Sequence, residues 1–426
     1  MTIIEDNAAT PAGSLGEAGS APRGARLDPR LAVFFAIVGL ALLSLTRVIT
    51  GANDITSGGT VGATITLAVP IGLAALGGLW SERSGVVNIG LEGMMILGTF
   101  FGADFAYFSH SPWMGVVGGV VGGAIGGLLH AVATVTFGVD QIVSGVAIII
   151  LSTGAARYLA GVFFSGQQGG GPTQSPHVPT FASLKVPGAD TFFGKIERHH
   201  WFVISDLAGL LRGITTSLTP FAILMLLLFP ATWFVLWRTA FGLRLRSCGE
   251  NPDEAESLGV AVYRMKYIAV IVSGALAGLA GAFLVDNAGI FREGQTGGRG
   301  FIGLAAMIFG NWRPGGLAAG ASLFGYTDAL QSRQGSTSVH ALLLLGAILL
   351  ALLAAYQVWR RHLVPAVALL VAAALVFVWY KVTHDIPLEF VPATPYIITL
   401  VVLAFAAQRL RPPAADGLPW RKGQGS

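Results

Sequence analysis

The chain has 426 residues, 53% hydrophobic and only 11% charged, against about 25% charged in a soluble domain. That composition excludes a water-soluble globular protein, because runs of the roughly 20 apolar residues needed to cross a bilayer recur along it. The net charge of +4 resides largely in loop arginines with no aromatic interleaving, the mark of a positive-inside membrane protein and not of a nucleic-acid binder.

Residues 1–29 are rich in Ala, Gly, Ser and Pro and lack the charged–apolar–cleavage order of a signal peptide, so they read as a disordered cytoplasmic tail. Arg23, Arg26 and Arg30 hold that end inside. Residues 30–411 form the membrane domain. Apolar runs near 31–50, 60–80, 86–108, 113–137, 141–163, 219–237, 267–286, 300–331, 339–358, 363–380 and 393–410 predict an all-α polytopic protein of about 10–12 transmembrane helices in the lipid bilayer. The run 300–331 reads as two short helices broken at Pro314. If it crosses twice, Arg83, the 238–266 loop, Arg360-Arg361 and the 412–426 tail all face the cytoplasm.

Glycine is frequent, 58 residues, and much of it sits at helical spacing. Gly115, Gly119, Gly123 and Gly127 form one ladder, with Gly118, Gly122 and Gly126 beside it. Such ladders let helix backbones approach closely in lipid. Residues 164–218 form a long extracytoplasmic loop, Gly-, Pro- and Gln-rich and then apolar at Trp201–Ile204, so either a partner surface or disordered. A further echo links Ile89–Gly98 with Ile302–Gly310. With the two segments running oppositely, this is the pattern of an inverted repeat with a substrate path between its halves, although short apolar motifs also recur by chance.

The most ordered polar segment is Gly249, Glu250, Asn251, Pro252, Asp253, Glu254, Ala255, Glu256, Ser257, Leu258 and Gly259. Asn251 is placed to N-cap a short helix, Pro252 suits its first position, and Glu254 can bond back to the cap. Asp253, Glu254 and Glu256 favour the positive end of the dipole, and Gly259 supplies the stop. Flanking Arg244, Arg246, Arg264 and Lys266 place this helix in the cytoplasm, where it reads as a docking element.

A second polar feature is Trp80–Met95, where Asn88 and Glu92 stand four apart on an expected helix. An ionised Glu within a bilayer costs about 2.5–3.5 kcal/mol on insertion scales, so Glu92 faces protein, water or substrate. Asn88, Glu92, His130 and Asp328 are the candidates for the translocation path. Glu92 reads equally as a cap or bridge between helices, and His130 has no second ligand at metal spacing. Cys248 stands alone, which excludes an intramolecular disulfide and a thiolate metal site. No phosphate-binding Gly-x-x-x-x-Gly-Lys-Ser/Thr loop and no Gly-x-Ser-x-Gly elbow occurs, so neither ATP hydrolysis nor acyl-transfer chemistry is expected of this chain. A stand-alone secondary transporter or channel for a small polar solute would need buried ionisable residues to couple ions, and few are present.

Three segments carry a family resemblance: Ser84–Met95, Arg246–Gly259 and Gly298–Gly316. Their order and sequence resemble the permease subunits of ABC importers for nucleosides and simple sugars, the branched-chain amino acid-like permeases, and most of all the nucleoside branch. The likeness covers about 60–335 and resumes at 387–412. It implies that residues 249–259 are a coupling helix for a separate cytoplasmic ABC ATPase, which binds the ATP and Mg while this chain holds no cofactor. It implies also a second permease subunit, an extracytoplasmic solute-binding lipoprotein, and nucleosides (purine nucleosides first) or simple sugars as cargo. Residues 338–383 depart from the family by inserting two extra apolar runs.

Overall fold

A computed structural model describes residues 29–383, 386 and 410–423. The expected N-terminal tail and the apolar run 393–410 fall outside those residues, apart from Pro29 and Leu410. The described elements are helical: α1 (Pro29–Thr50), α2 (Gly58–Glu82), α3 (Leu91–Ser109), α4 (Pro112–Ala131), α5 (Gln141–Phe164), α6 (Ala189–Glu197), α7 (Ile204–Thr216), α8 (Pro220–Arg238), α9 (Ala240–Glu250), α10 (Pro252–Ser257), α11 (Val262–Ala288), α12 (Arg299–Phe309), α13 (Pro314–Trp359) and α14 (Leu363–Val382). Seven of the described helices have the length and apolarity to cross a membrane, and α1 and α12 add shorter apolar stretches. The protein is an all-α polytopic membrane protein.

Its centre is made of two groups of three helices, α2–α4 and α11–α13. The long helices are exchanged between the groups: α4 packs on α11, and α13 packs on α2. The glycine ladders explain the first contact. A Cβ on Gly278 would lie 2.1 Å from the Gly119 carbonyl oxygen, and one on Gly123 would lie 2.1 Å from that of Gly274, so the α4 and α11 backbones touch. The second ladder faces α3, where Gly118, Gly122 and Gly126 meet Phe101, Leu97 and Met94. Helices α3 and α12 begin beside one another inside the bundle and run to opposite ends, which is the inverted arrangement expected from the Ile89–Gly98 echo.

Three differences from the sequence expectation have physical causes. First, residues 86–90 are not helical; α3 starts at Leu91, so Asn88 and Glu92 do not share a helical face. Second, the expected break between 331 and 339 is absent. Pro314 does begin a new helix at its first position, but no proline interrupts 331–338 and α13 continues for 46 residues, about 69 Å, more than twice the ~30 Å hydrocarbon core. Arg333 lies against Gly59 at the outer end of α2, so the helix carries Arg360-Arg361 on beyond that end, away from Arg83. Third, the 164–218 segment is ordered as a cap. Ser175 and Val178 donate backbone hydrogen bonds to Phe291 and Gly289 (3.0 and 2.9 Å), and a buried Arg47–Asp206 pair at 2.7 Å ties α7 to α1. Burial raises the Asp206 carboxyl, but hydrogen bonds from Ser44, Thr56 and Arg47 outweigh it and hold its pKa below the usual carboxylate value. Trp201, Phe202 and Ile204 remain more than half exposed on this cap.

Candidate coupling surface and translocation site

The end of the bundle expected in the cytoplasm is organised by α9 and α10. In agreement with the sequence, α10 spans Pro252–Ser257, the Asn251 side chain accepts from the Glu254 N–H at 3.2 Å, and Gly259 adopts φ +83° at the stop. The reciprocal bond from Glu254 to Asn251 does not form. Asn251 also ends α9, and its N–H donates to Ser247 at 2.9 Å. The helix–kink–helix that results is seated by glycines: a Cβ on Gly249 would lie 2.5 Å from the Arg83 carbonyl oxygen, and one on Gly85 3.2 Å from Gly249 Cα. Pro252 and Ala255 are buried, whereas Glu254, Ser257, Leu258 and Gly259 face out, Leu258 being 84% exposed.

Arg83 joins this seat to the opposite half. Its guanidinium donates to the Trp312 carbonyl (2.7 Å) and approaches Glu250 (3.7 Å). Arg83 and Arg246 both lie over the Trp237 ring, at 5.5 and 5.4 Å. Burial pulls the Arg83 pKa down to about 10. Glu82 accepts from the Trp312 indole at 2.5 Å. Cys248 is fully buried and burial pushes its thiol up to about 11, so it is a poor accessibility reporter despite its place in the loop.

Residues 410–423 pack on the same surface, a role for which the sequence carries no signature. Ala415 N–H donates to Gly249 O (2.8 Å), the Trp420 indole donates to Asp253 (2.7 Å), and Lys422 pairs with Glu256 (3.4 Å). Asp416 is driven against Glu82; burial raises its carboxyl to about 6, opposed by the Glu82 hydrogen bond, Lys266 and Arg83.

Inside the bundle, Glu92 joins the two halves. Its Oε1 accepts from the Gly298 N–H at 2.9 Å and its Oε2 from the Gly300 N–H at 2.7 Å, so one buried carboxylate caps α12 while standing in the first turn of α3. Two positive helix ends meet on it, which compensates a carboxylate that is only 5% exposed. The contact demands glycine, since a Cβ on Gly300 would lie 2.6 Å from the Glu92 nitrogen. Beside this junction is a cavity of about 360 Å³ lined by Glu92, Thr99, Thr153, Phe291, Gln295 and Thr296, among others. It lies where the non-helical 289–298 backbone enters the bundle, the setting in which broken membrane helices hold substrates.

Of the four path candidates, Glu92 alone lines this cavity. Asn88 is buried and donates to Ser273 (2.9 Å). His130 is fully buried between Ser144 (2.9 Å) and the Val87 carbonyl (3.1 Å), a clip between α4, α5 and the 86–90 turn. Asp328 is half-buried on α13 and feels the charge of Arg299. Thr99, Thr153 and Gln295 do not stand out in the sequence, because single uncharged polar residues are common in membrane helices. The glycine cluster 294–300 points to Gln295 alone; Thr99 and Thr153 carry no signal along the chain. Among the described residues no group of His, Cys, Asp or Glu is arranged to hold a metal.

With this geometry in view, comparison with known proteins fixes the family. The family described as branched-chain amino acid transport system / permease component matches residues 60–353, and the chain belongs to it. It is a multi-pass cell-membrane transport permease. The chain is 33% identical over 85% of its length to the guanosine ABC transporter permease protein NupQ of Bacillus subtilis, covering 97% of that protein. It is 31% identical over 84% of its length to the nucleoside ABC transporter permease protein NupC of Lactococcus lactis, covering 95% of it. A putative glucose ABC transporter permease, TsgC13 of Haloferax volcanii, is 34% identical over 66% of the chain and 79% of its own length. No solved structure matches.

Proposed function

We propose that this chain is the membrane subunit of an ATP-driven importer of nucleosides, with purine nucleosides as the first cargo to test. The carrying observation is α10, a capped acidic helix seated close to the C-terminal end of α2 through the Gly85–Gly249 contact and left exposed at Glu254, Ser257 and Leu258. A lever needs this combination of stiff root and open tip. A separate cytoplasmic ATPase grips residues 249–259, binds ATP and Mg, and moves α9–α10 against Arg83 and Trp312, one from each half of the bundle. Rocking of the halves then alternates access to the cavity.

Nucleosides fit the cavity chemistry. Its walls combine the apolar Ile149, Ala156 and Phe291 with the exposed Thr153 hydroxyl and the unpaired side-chain nitrogen of Gln295, which offer hydrogen-bond partners for ribose hydroxyls and ring edges. The substrates named for NupQ and NupC support the same choice. A solute-binding lipoprotein delivers cargo to the 164–218 cap. A second, related permease completes the pore, and two guanosine permease proteins of Bacillus subtilis, NupQ and NupP, both resembling this chain support that composition. The test is reconstitution with the partner ATPase, second permease and receptor in vesicles. Uptake of labelled guanosine that requires ATP is expected. Flux through this chain alone, driven by an ion gradient, would overturn the proposal.

A further inference from the structure

The acidic face of α10 is not wholly available to a motor, because the chain's own C-terminal segment occupies part of it. Four carboxylates, Glu250, Asp253, Glu254 and Glu256, crowd into seven residues. Three of them bond to residues 414–422: Glu250 accepts from the Ala414 N–H (3.3 Å), Asp253 from the Trp420 indole (2.7 Å), and Glu256 pairs with Lys422 (3.4 Å). Glu254 has only its backbone engaged at the cap, and its side chain is exposed.

The segment is anchored independently of these charges. Pro413 and Ala415 are buried, and Ala415 N–H bonds Gly249 O at 2.8 Å, at the glycine on which the lever is seated. The Trp420 ring packs on Tyr263 at the base of α11, 5.2 Å between centroids. Arg411 N–H bonds the Asn311 side chain (2.8 Å) in the α12–α13 turn, and Arg421 reaches the Phe137 carbonyl after α4 (3.5 Å). One strap therefore touches α10, α11 and the inner ends of α4 and α12. The Lys422–Glu256 pair, its lysine largely in solvent, adds little, so packing and backbone bonds carry the attachment. A six-residue helix is too short to hold its own shape in water, and something must hold α10 at a fixed angle to its root.

We infer that residues 410–423 form a strap that positions the coupling helix, with Trp420 as its positioning residue. The strap turns Glu250, Asp253 and Glu256 toward the chain itself and leaves Glu254 and Leu258 as the tip that meets the motor. This rests on the reading of α10 as the gripped helix. The strap acts after assembly, by converting motor displacement into movement of both halves at once.

The experiment uses the complete reconstituted importer and measures three quantities: copurification of the ATPase, guanosine taken up per ATP hydrolysed, and hydrogen exchange at Ala414 and Ala415. In the unaltered complex those amides are protected. Trp420→Ala exposes them and lowers uptake per ATP by about five-fold or more while the ATPase still copurifies. Trp420→Phe, which keeps the ring on Tyr263, recovers much of the ratio. A chain ending at Arg411 behaves like Trp420→Ala or worse. Unprotected amides in the unaltered complex overturn the inference, as does unchanged uptake per ATP in the shortened chain. Loss of ATPase copurification with Trp420→Ala overturns it in favour of direct docking by the tail. Should Glu254→Lys leave copurification and uptake intact while the amide protection behaves as stated, the coupling reading fails and the strap contact survives.

Discussion

Two places in this molecule depend on carboxylates and on glycine, and they solve the same problem differently. At the buried junction, one carboxylate, Glu92, is saturated by two backbone N–H groups of α12, and Gly300 lets the backbones meet. At the seat of α10, four carboxylates are shared among a tail, a cap and solvent, and Gly85 and Gly249 provide the close approach. The difference follows from the surroundings. Within the bundle, where Glu92 is only 5% exposed, the carboxylate depends on protein donors for its pairing. In water, partial pairing is tolerated, and partners can be exchanged during a transport cycle.

Removing the buried carboxylate breaks the comparison most directly. Glu92→Ala leaves two donors without their acceptor, at about 1–3 kcal/mol each, and frees the start of α12. Thermal unfolding of the purified complex should fall clearly, and uptake should vanish; an unchanged unfolding temperature would refute the bridging role. At the seat, Glu254→Lys should leave thermal stability unchanged while abolishing ATP-dependent uptake, because that side chain points only outward. Gly249→Ala comes next. Its Cβ meets backbone at 2.5 Å, so the lever root must shift, and uptake per ATP should drop even though the bundle remains folded by circular dichroism.

Smaller effects sharpen the contrast. The Asp416 carboxyl is raised to about 6 by burial, so the seated tail binds a proton more readily than the free tail. A raised acid favours the seated state below its ordinary value near 3.8, and that contribution is lost as pH rises through about 6. Exchange protection at Ala415, corrected for intrinsic rate, should therefore weaken between pH 5 and 7, and Asp416→Asn should flatten the trend. The smallest change is expected at the exposed ion pair: Glu256→Lys should cost about 1 kcal/mol or less of tail docking, recovered by adding Lys422→Glu. A double variant as impaired as the single one would mean that Glu256 touches the motor instead.

Much of α10 is legible in the amino-acid sequence. Asn251, Pro252 and Gly259 fix a start and a stop through local backbone chemistry, which acts over three or four residues and needs no tertiary partner. The glycine ladders are legible for the same reason, since helical spacing alone places them on one stripe. The path is less so. Asn88 and Glu92 are four apart, but the chain breaks before Leu91, and the partners that decide their roles, Ser273, Gly298 and Gly300, lie about 185–208 positions away. His130 reads along the chain as a deep polar candidate and is instead fully paired, because its partners Val87 and Ser144 come from other segments.

The amino-acid order alone determines that this chain lies in a membrane and that a capped acidic turn stands between its apolar runs. Those properties come from transfer free energy and short-range capping, both additive along a chain. Only tertiary structure decides that α12 hangs on Glu92, that α13 runs unbroken past the bundle, and that residues 410–423 return to pack against α10. Each of those depends on groups brought together from distant positions, where packing and desolvation set the outcome and local sequence has no say.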